Sequence, residues 1–501
     1  MPSVASGLGW RSLEVGPGEG ETPTPSEVVC RLIHLSDSHV CDAQSPARLE
    51  YLDRFADPHV TSDEDAFVGT YRAHEMLSTQ TLDALVRATN RWAETGPIDA
   101  VLVTGDATDN AQRNELEWFI TTLSGGLVHP DSGTLGVWEG VGGLQGEFDP
   151  SYWYPDGSPT GHPDDYPHSL YGFPRLPGLL SYATTPFRAE GLLAPWLSVY
   201  GNHDALLQGT VPAVGELRRR AVSGSRPTSL PATWDYSRVA PTFGPEGPAT
   251  YPPVGESVAV SADLAREILT REEWVDRHCR DGANHGPSRD VAGRAQTWWS
   301  RDINGVLLVG LDTVNPHGGW EGSLDDVQLA WLEDTLEAST APVVVLSSHH
   351  PPHALTNLYS PDGSSPRRGV RDVLQVLSHF PAVHLWLAGH RHRHRIEHWR
   401  EEGHFDFWLV ETSSVIDWPQ QGRSVTLTRR GDEWAATFEV LDHLGGLEPR
   451  WNTEESTTTS LGAGWSRLLA LNAWQRRRGG ALVDRLSGDP SDRNVTVRWS
   501  T

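Results

Sequence analysis

Five short polar clusters in the 501-residue chain carry residue types that bind metal ions or move protons. They are Asp37-Ser38-His39, Gly105-Asp106 with Asp109, Gly201-Asn202-His203-Asp204, His349-His350-Pro351-Pro352 and Gly389-His390-Arg391-His392. Singly, each has an ordinary reading. Asp37 and His39 suit a buried, hydrogen-bonded imidazole at a strand end, and Gly-Asp after a strand is a common turn whose Asp caps the next helix. Gly-Asn tolerates the positive φ of a turn, two prolines stiffen a loop, and the run HRHRHRIEH suits a solvated or weakly metal-binding tract. Taken together, imidazole nitrogens with carboxylate and amide oxygens suit di- or trivalent ions of intermediate hardness, with no need for thiolates. The i, i+2 spacings of Asp37/His39 and His390/His392 send both side chains to one side if the backbone there is extended, because alternate residues of a strand share a face.

The elements that must position these clusters are legible as apolar runs. Residues 29–35 lead into SDSH, 100–104 into GDATDN, 195–200 into GNHD, 305–311 into Asp312, 341–348 into HHPP and 382–388 into GHRH. A helical pattern over about 74–94 (Leu77, Leu82, Leu85, Val86, Trp92) joins the first two into a βαβ unit, and 325–338 reads as an amphipathic helix. This is an α/β pattern. Ligands in open α/β sheets gather beyond the carboxyl ends of strands, where every one of these clusters falls.

Two long segments, about 121–190 and 205–296, interrupt the pattern and read as insertions, either capping the site or peripheral to it. Tyr152, Trp153 and Tyr154 would stack a base or pack the cap, and Thr270 with Glu273 has capping-box spacing. Arg218, Arg219, Arg220, Arg367 and Arg368 would contact phosphate or remain solvated charge. A hairpin is expected over 424–441. The C-terminal stretch opens in a Thr/Ser/Glu-rich linker and holds one helical segment, WSRLLALNAWQRRR.

Composition narrows the function classes. No apolar run approaches the ~20 residues of a membrane helix, and a net charge of -26 opposes a broad nucleic-acid-binding surface. The chain has no lysine, so covalent lysine chemistry is excluded. Cys30, Cys41 and Cys279 make no disulfide framework, and the first 26 residues read as a flexible Gly/Pro/Glu leader without a signal-peptide core. A cytoplasmic protein without membrane association is expected.

In this order, D-x-H, GD-x-x-D, GNHD, HHPP and GH-x-H resemble the calcineurin-like metallophosphoesterase superfamily. With Gln328, Trp331 and Leu332 between the third and fourth motifs, the pattern is most similar to bacterial cyclic-nucleotide-phosphodiesterase-like members, over roughly residues 29–430. The resemblance implies a four-layer sandwich, two mixed β-sheets flanked by helices. The metallophosphoesterase domain would span 27–442 with the two insertions, preceded by the leader 1–26 and followed by a C-terminal extension, 443–501, with one helix. It implies two metal ions, Mn2+, Fe2+/Fe3+ or Zn2+, bridged by Asp106. Asp37, His39 and His392 would complete one site, and Asn202, His349 and His390 the other. His350 would point away, and His394 and His398 would lie at the surface. A metal-bridging hydroxide would attack phosphorus in line. His203 would stabilise the phosphate and protonate the leaving oxygen, with Asp204 orienting it. The expected partner is a small phosphorylated substrate, a diester before a monoester, with no nucleic acid; oligomeric state is left open.

Departures from the pattern exclude some relatives. Purple acid phosphatases carry a tyrosine three residues after the bridging aspartate; Asp109 stands there, and it is expected to cap the following helix or to support a ligand. Too few residues follow the core for the separate C-terminal domain of a 5'-nucleotidase. A non-catalytic scaffold of this fold would be expected to lose ligands, whereas all seven candidates and His203 are present.

Overall fold

Along β1 (Glu27–Leu35) consecutive buried side chains enter two different cores. Cys30 and Leu32 face one cluster, Ile33 and Leu35 another, and in β2 (Ala100–Val103) Ala100 and Leu102 divide from Val101 and Val103 in the same way. A strand covered on both faces reads as a continuous apolar run, which is why these segments stand out in the sequence. The computed structural model describes residues 26–55, 71–143, 148–235, 239, 243–446, 449–451, 459–473, 477–478, 481–482 and 486–500. Most of the leader (1–25) and the Thr/Ser/Glu-rich linker (452–458) lie outside the described residues.

The remaining principal strands, in chain order, are β3 (Trp196–Ser198), β4 (Trp299–Ile303), β5 (Val306–Leu311), β6 (Val343–Ser348), β7 (Val383–Ala388), β8 (Arg395–Glu401), β9 (Phe405–Glu411), β10 (Gln421–Arg430), β11 (Glu433–Asp442) and β12 (Val495–Ser500). They form two mixed six-stranded sheets, ordered β12-β11-β10-β1-β2-β3 and β4-β5-β6-β7-β9-β8. Parallel pairing runs through β1-β2-β3 and through β5-β6-β7-β9, with antiparallel strands on the flanks. Between the sheets, Leu32, Leu102 and Leu197 meet Leu308, Val345, Leu385 and Val410.

Helices cover the outer faces. On the first sheet α1 (Ser78–Trp92), α2 (Arg113–Ser124) and α3 (Arg271–His278) bring Leu82, Leu85, Phe119, Trp274 and Val275 against Ile33, Leu35, Val101 and Val103. On the second, α4 (Asp326–Glu337) and α5 (Val370–Leu377) bring Leu332, Leu336, Val373 and Leu377 against Val309, Val344, Leu346 and Trp386. The order helix, sheet, sheet, helix is the four-layer sandwich.

The long segments have structure of their own. Within 128–190 the described residues build a satellite core in which Tyr152, Trp153 and Tyr154 are buried with Phe173, Leu176, Leu179 and Leu180 against Met76 and Leu77, so the three aromatics pack the protein interior. Within 205–296, α3 belongs to the helical layer of the first sheet, and its Thr270–Glu273 capping box forms. The C-terminal stretch supplies β12 to the edge of the first sheet and α6 (Thr459–Asn472), whose Thr459 donates to Asp83 of α1 at 2.6 Å. Among the described residues no helix is long and apolar enough to cross a membrane.

Candidate dinuclear metal centre

The five clusters leave the carboxyl ends of β1, β2, β3, β6 and β7 and meet over one edge of both sheets. Segment 37–40 runs beside 105–108: Asp37 N donates to Gly105 O, His39 N to Asp106 O and Val40 N to Ala107 O. Asp37, His39, Asp106, His390 and His392 all have φ between 39° and 67°. The i, i+2 pairs therefore do not converge through extended backbone; left-handed residues at the loop turns aim both members of each pair. Such a conformation costs roughly 1–3 kcal/mol per non-glycine residue and persists only where the surroundings enforce it. The neighbouring glycines are needed for space, since a Cβ on Gly201 would strike Asp106 and one on Gly389 would strike Ser36 and Asp37.

Asp106 is the centre of the group. Its Oδ1 accepts His203 N at 2.8 Å, and its Oδ2 lies 3.5 Å from His39 Nε2 and 3.2 Å from His349 Nε2. Asp37 Oδ1 lies 3.2 Å from His392 Nε2, and His39 Nε2 and His392 Nε2 are 3.2 Å apart. Asp37, His39 and His392 thus offer one set of donor atoms spaced for a cation, and Asp37, Asp106 and His349 an overlapping one. Asn202 Nδ2 donates to Gly209 O at 3.0 Å, which leaves Oδ1 as its free donor atom. Asn202 Oδ1, His349 Nε2 and His390 Nε2 are buried without a hydrogen-bond partner. A buried polar atom left unmet costs about 1–3 kcal/mol, and unmet lone pairs beside two carboxylates fit a pair of metal ions.

Three of the four ligand rings that would present Nε2 are held from behind, as metal-ligating imidazoles usually are. His39 Nδ1 donates to Asp109 Oδ1 at 3.1 Å, His349 Nδ1 to Thr104 O at 2.8 Å and His392 Nδ1 to Asp417 Oδ2 at 2.6 Å. His203 Nδ1 donates to Asp109 O at 2.9 Å, leaving its Nε2 toward the site. Asp109 is itself fixed by the fully buried Arg48, which also pairs with Glu50 and Glu75.

Burial alone would lower the His349 and His392 imidazoles, but Asp106 lifts the first to about 9 and Asp37 the second to about 10. Against the same burial, these imidazoles hold the Asp37 and Asp106 carboxyls below the usual range. His203 is also raised, burial notwithstanding, chiefly by Asp106. Burial pushes His39 down to about 4 and His390 well below its ordinary value.

Three expectations need correction. Asp204 does not orient His203: its carboxylate accepts from Thr108 N and Gly201 N at 3.1 and 3.0 Å, a local loop brace, and Asp109 faces the imidazole instead. Asp109 does not cap α2, whose capping box is Gln112 with Glu115. His394 is buried, not at the surface, between Gln421 Oε1 and Arg423. His350 turns away from the centre as expected, bonded to Thr313 Oγ1 and Trp320 O, and His398 pairs with exposed Asp406. The arginine pairs contact protein: Arg367 bonds Ser323 and Val314, Arg368 pairs with Asp326, Arg218 bonds Ala213 O and Arg220 pairs with Glu216. Sequence reasoning missed Asp417, Arg48 and Arg72, the last bridging Asp417 and Asp109 at 3.0 and 3.5 Å. Asp417 ends the run VETSSVID after β9, a strand-end polar residue like the others, and that placement was its one signal.

A four-layer α/β sandwich thus brings histidine and aspartate side chains together over one edge of both sheets. The family model described as calcineurin-like phosphoesterase matches residues 165–394, and the chain carries a domain of that family, a metal-dependent phosphoric ester hydrolase. The matched stretch includes Asn202, His203, His349, His390 and His392; Asp37, His39 and Asp106 precede it and are brought in by the fold. Among solved structures, a dimetal phosphatase from Danio rerio is similar at 12% identity and a TM-score of 0.39, over 83% of this chain and 100% of that one. No curated protein matches the chain.

Proposed function

We propose that the chain hydrolyses a phosphodiester bond in a small molecule, with Asp106 shared by two metal ions, Asp37, His39 and His392 on one ion and Asn202, His349 and His390 on the other. The observation that carries this reading is the set of unmet donor atoms, Asn202 Oδ1, His349 Nε2 and His390 Nε2, beside two carboxylates held ionised in the interior. Bound ions of the Mn2+, Fe2+/Fe3+ or Zn2+ type would polarise a phosphoryl oxygen and lower the pKa of a shared water. His203 supplies the proton: Asp109 O fixes Nδ1, the neighbouring carboxylates raise the imidazole above its ordinary value against burial, and Nε2 is left toward the departing oxygen. An alkoxide leaving a diester needs such a proton. The order GD-x-T-D, GNHD, HHPP supports a diester before a monoester.

Cys30, Cys41 and Cys279 are free thiols, in keeping with a reducing compartment, and a cytoplasmic site of action is part of this reading. The test is a hydrolysis panel on protein loaded in turn with Mn2+, Fe2+, Zn2+, Co2+ or Mg2+. Bis-p-nitrophenyl phosphate and the 2',3'- or 3',5'-cyclic nucleotides are expected to turn over faster than p-nitrophenyl phosphate; the reverse order rejects the diester, and no turnover with any metal rejects the reading altogether.

A further inference from the structure

We propose that the seam between the two insertions holds a second ligand site, for a phosphate-type dianion, centred on Arg226 and Thr228. Arg226 sits in the short strand Ser225–Pro227 and is 8% exposed. Its Nε is buried with no hydrogen-bond partner, and no ion pair forms on its guanidinium among the described residues. Two residues on, and therefore on the same side of an extended segment, Thr228 Oγ1 is also buried without a partner. Both line a small cleft open to solvent, together with Arg54, Asp149, Tyr152, Tyr154 and the glycine turn 140–143.

The charges at this cleft do not cancel. Arg54 pairs with Asp149 at 3.0 Å, so among the described residues that line the cleft two guanidiniums face one carboxylate, in a chain of net charge -26. Glu50 lies close enough to feel Arg226, but its Oε1 is taken by Arg48 at 2.6 Å, and no hydrogen bond joins Glu50 to Arg226. A guanidinium whose Nε is buried unmet is costly unless something meets it. Its planar fork matches two oxygens of a phosphate, the Thr228 hydroxyl can donate to a third, and Arg54 stands at the mouth. The tyrosine rings wall the cleft, and Gly142, with φ 74°, lets the backbone turn tightly against it. The ligand is a phosphate group, either of a free anion or on a distal part of the substrate.

Metal-loaded full-length protein titrated with inorganic phosphate is expected to bind one phosphate more per chain than either Arg226→Gln or Thr228→Val. The near-isosteric Thr228→Val guards against a folding defect, and circular dichroism checks both variants. Because the readout is a difference of one, it stands whether or not the metal pair binds phosphate or catalyses anything. Equal stoichiometry in all three proteins overturns the proposal. Competition separates the sources: phosphate at this site displaced by a bisphosphorylated substrate marks a substrate subsite, and phosphate that stays bound marks a separate anion.

Discussion

The carboxyl ends of the two sheets and the satellite core at 128–190 are equally buried, yet they are built on opposite terms. At the strand ends, five non-glycine residues hold left-handed backbone, three polar atoms lack partners, and carboxylates lie against imidazoles in the interior. In the satellite core, Trp153 meets Phe173 edge to face with centroids 5.9 Å apart, and its Nε1 donates to Pro174 O at 3.1 Å. The first region stores strain and unmet donors that only a ligand resolves. The second meets the polar atom of its central indole within the protein and holds its rings by packing alone. Left-handed backbone clustered beside buried carboxylates therefore distinguishes the site from the core where depth does not.

If that contrast is sound, substitutions of equal burial differ sharply in what they remove. Asp106→Asn is nearly isosteric but takes the shared charge from the centre, and turnover is expected to fall by on the order of 10⁴ or more, as for a group that acts as a unit with its neighbours. Elemental analysis of the purified variant checks that metal content falls with it; full metal occupancy with wild-type turnover would sink the central role of Asp106. His203→Ala is expected to cost about 10²–10⁴-fold in kcat while both metals remain, because the variant loses a proton donor and no ligand. The loss should shrink for substrates whose leaving group needs no proton, such as a p-nitrophenolate ester.

The pH dependence of metal uptake probes the same region. In the metal-free chain His349 and His392 hold protons up to about pH 9 and 10, and a ligand must shed its proton to coordinate. Apparent affinity for each ion should then rise by roughly 10-fold per pH unit below that range, with one proton released per ion and two in all, measurable by calorimetry in buffers of different ionisation enthalpy. The sign for stability is the opposite: the raised imidazole pKa values stabilise the metal-free fold fully below their unfolded value near 6.5, and that contribution is lost as pH rises through 9 to 10. Metal-free protein should lose thermal stability over this window and metal-loaded protein should not.

How much of this was legible in the sequence follows the same division. Strands such as β1, β2 and β6 were readable because burial on both faces leaves an unbroken apolar run, and the clusters at their ends were readable because their residue types are distinctive. The left-handed geometry at Asp37, His39, His390 and His392 was not, since it is imposed by contacts between distant loops such as His390 N with Asp37. The exchange of Asp204 for Asp109 as the partner of His203 has the same cause, whereas support of a ligand by Asp109 was among the expectations. Proximity in sequence favoured Asp204 as the partner of His203, whereas the β2 loop carries Asp109 against both His39 and His203. His394 looked like part of a solvated run because alternation of His and Arg hides that Arg423 of β10 lies over it.

That exchange sets the next prediction. Asp109→Asn and Asp417→Asn each loosen a ligand or donor imidazole and are expected to cost about 10–100-fold in metal affinity or activity. Asp204→Asn, which disturbs only a loop brace, should cost less than either. Equal effects of Asp109→Asn and Asp204→Asn would undo the distinction drawn from the hydrogen bonds.

The smallest catalytic effect is expected in the satellite core, although the side chain removed is the largest. Trp153 is fully buried, and its replacement by alanine should destabilise the fold by about 3–5 kcal/mol, the lost transfer free energy plus the cavity left behind. Among the described residues the satellite core touches the centre indirectly, through Cys41 and Ala43, Tyr71 and the helical turn at Met76 and Leu77. Protein that remains folded at low temperature should therefore keep its kcat and its metal content while its melting temperature falls. A drop in kcat comparable to that of His203→Ala, in protein shown to be folded, would mean that the aromatic insertion shapes the site after all and that the two regions are one functional unit.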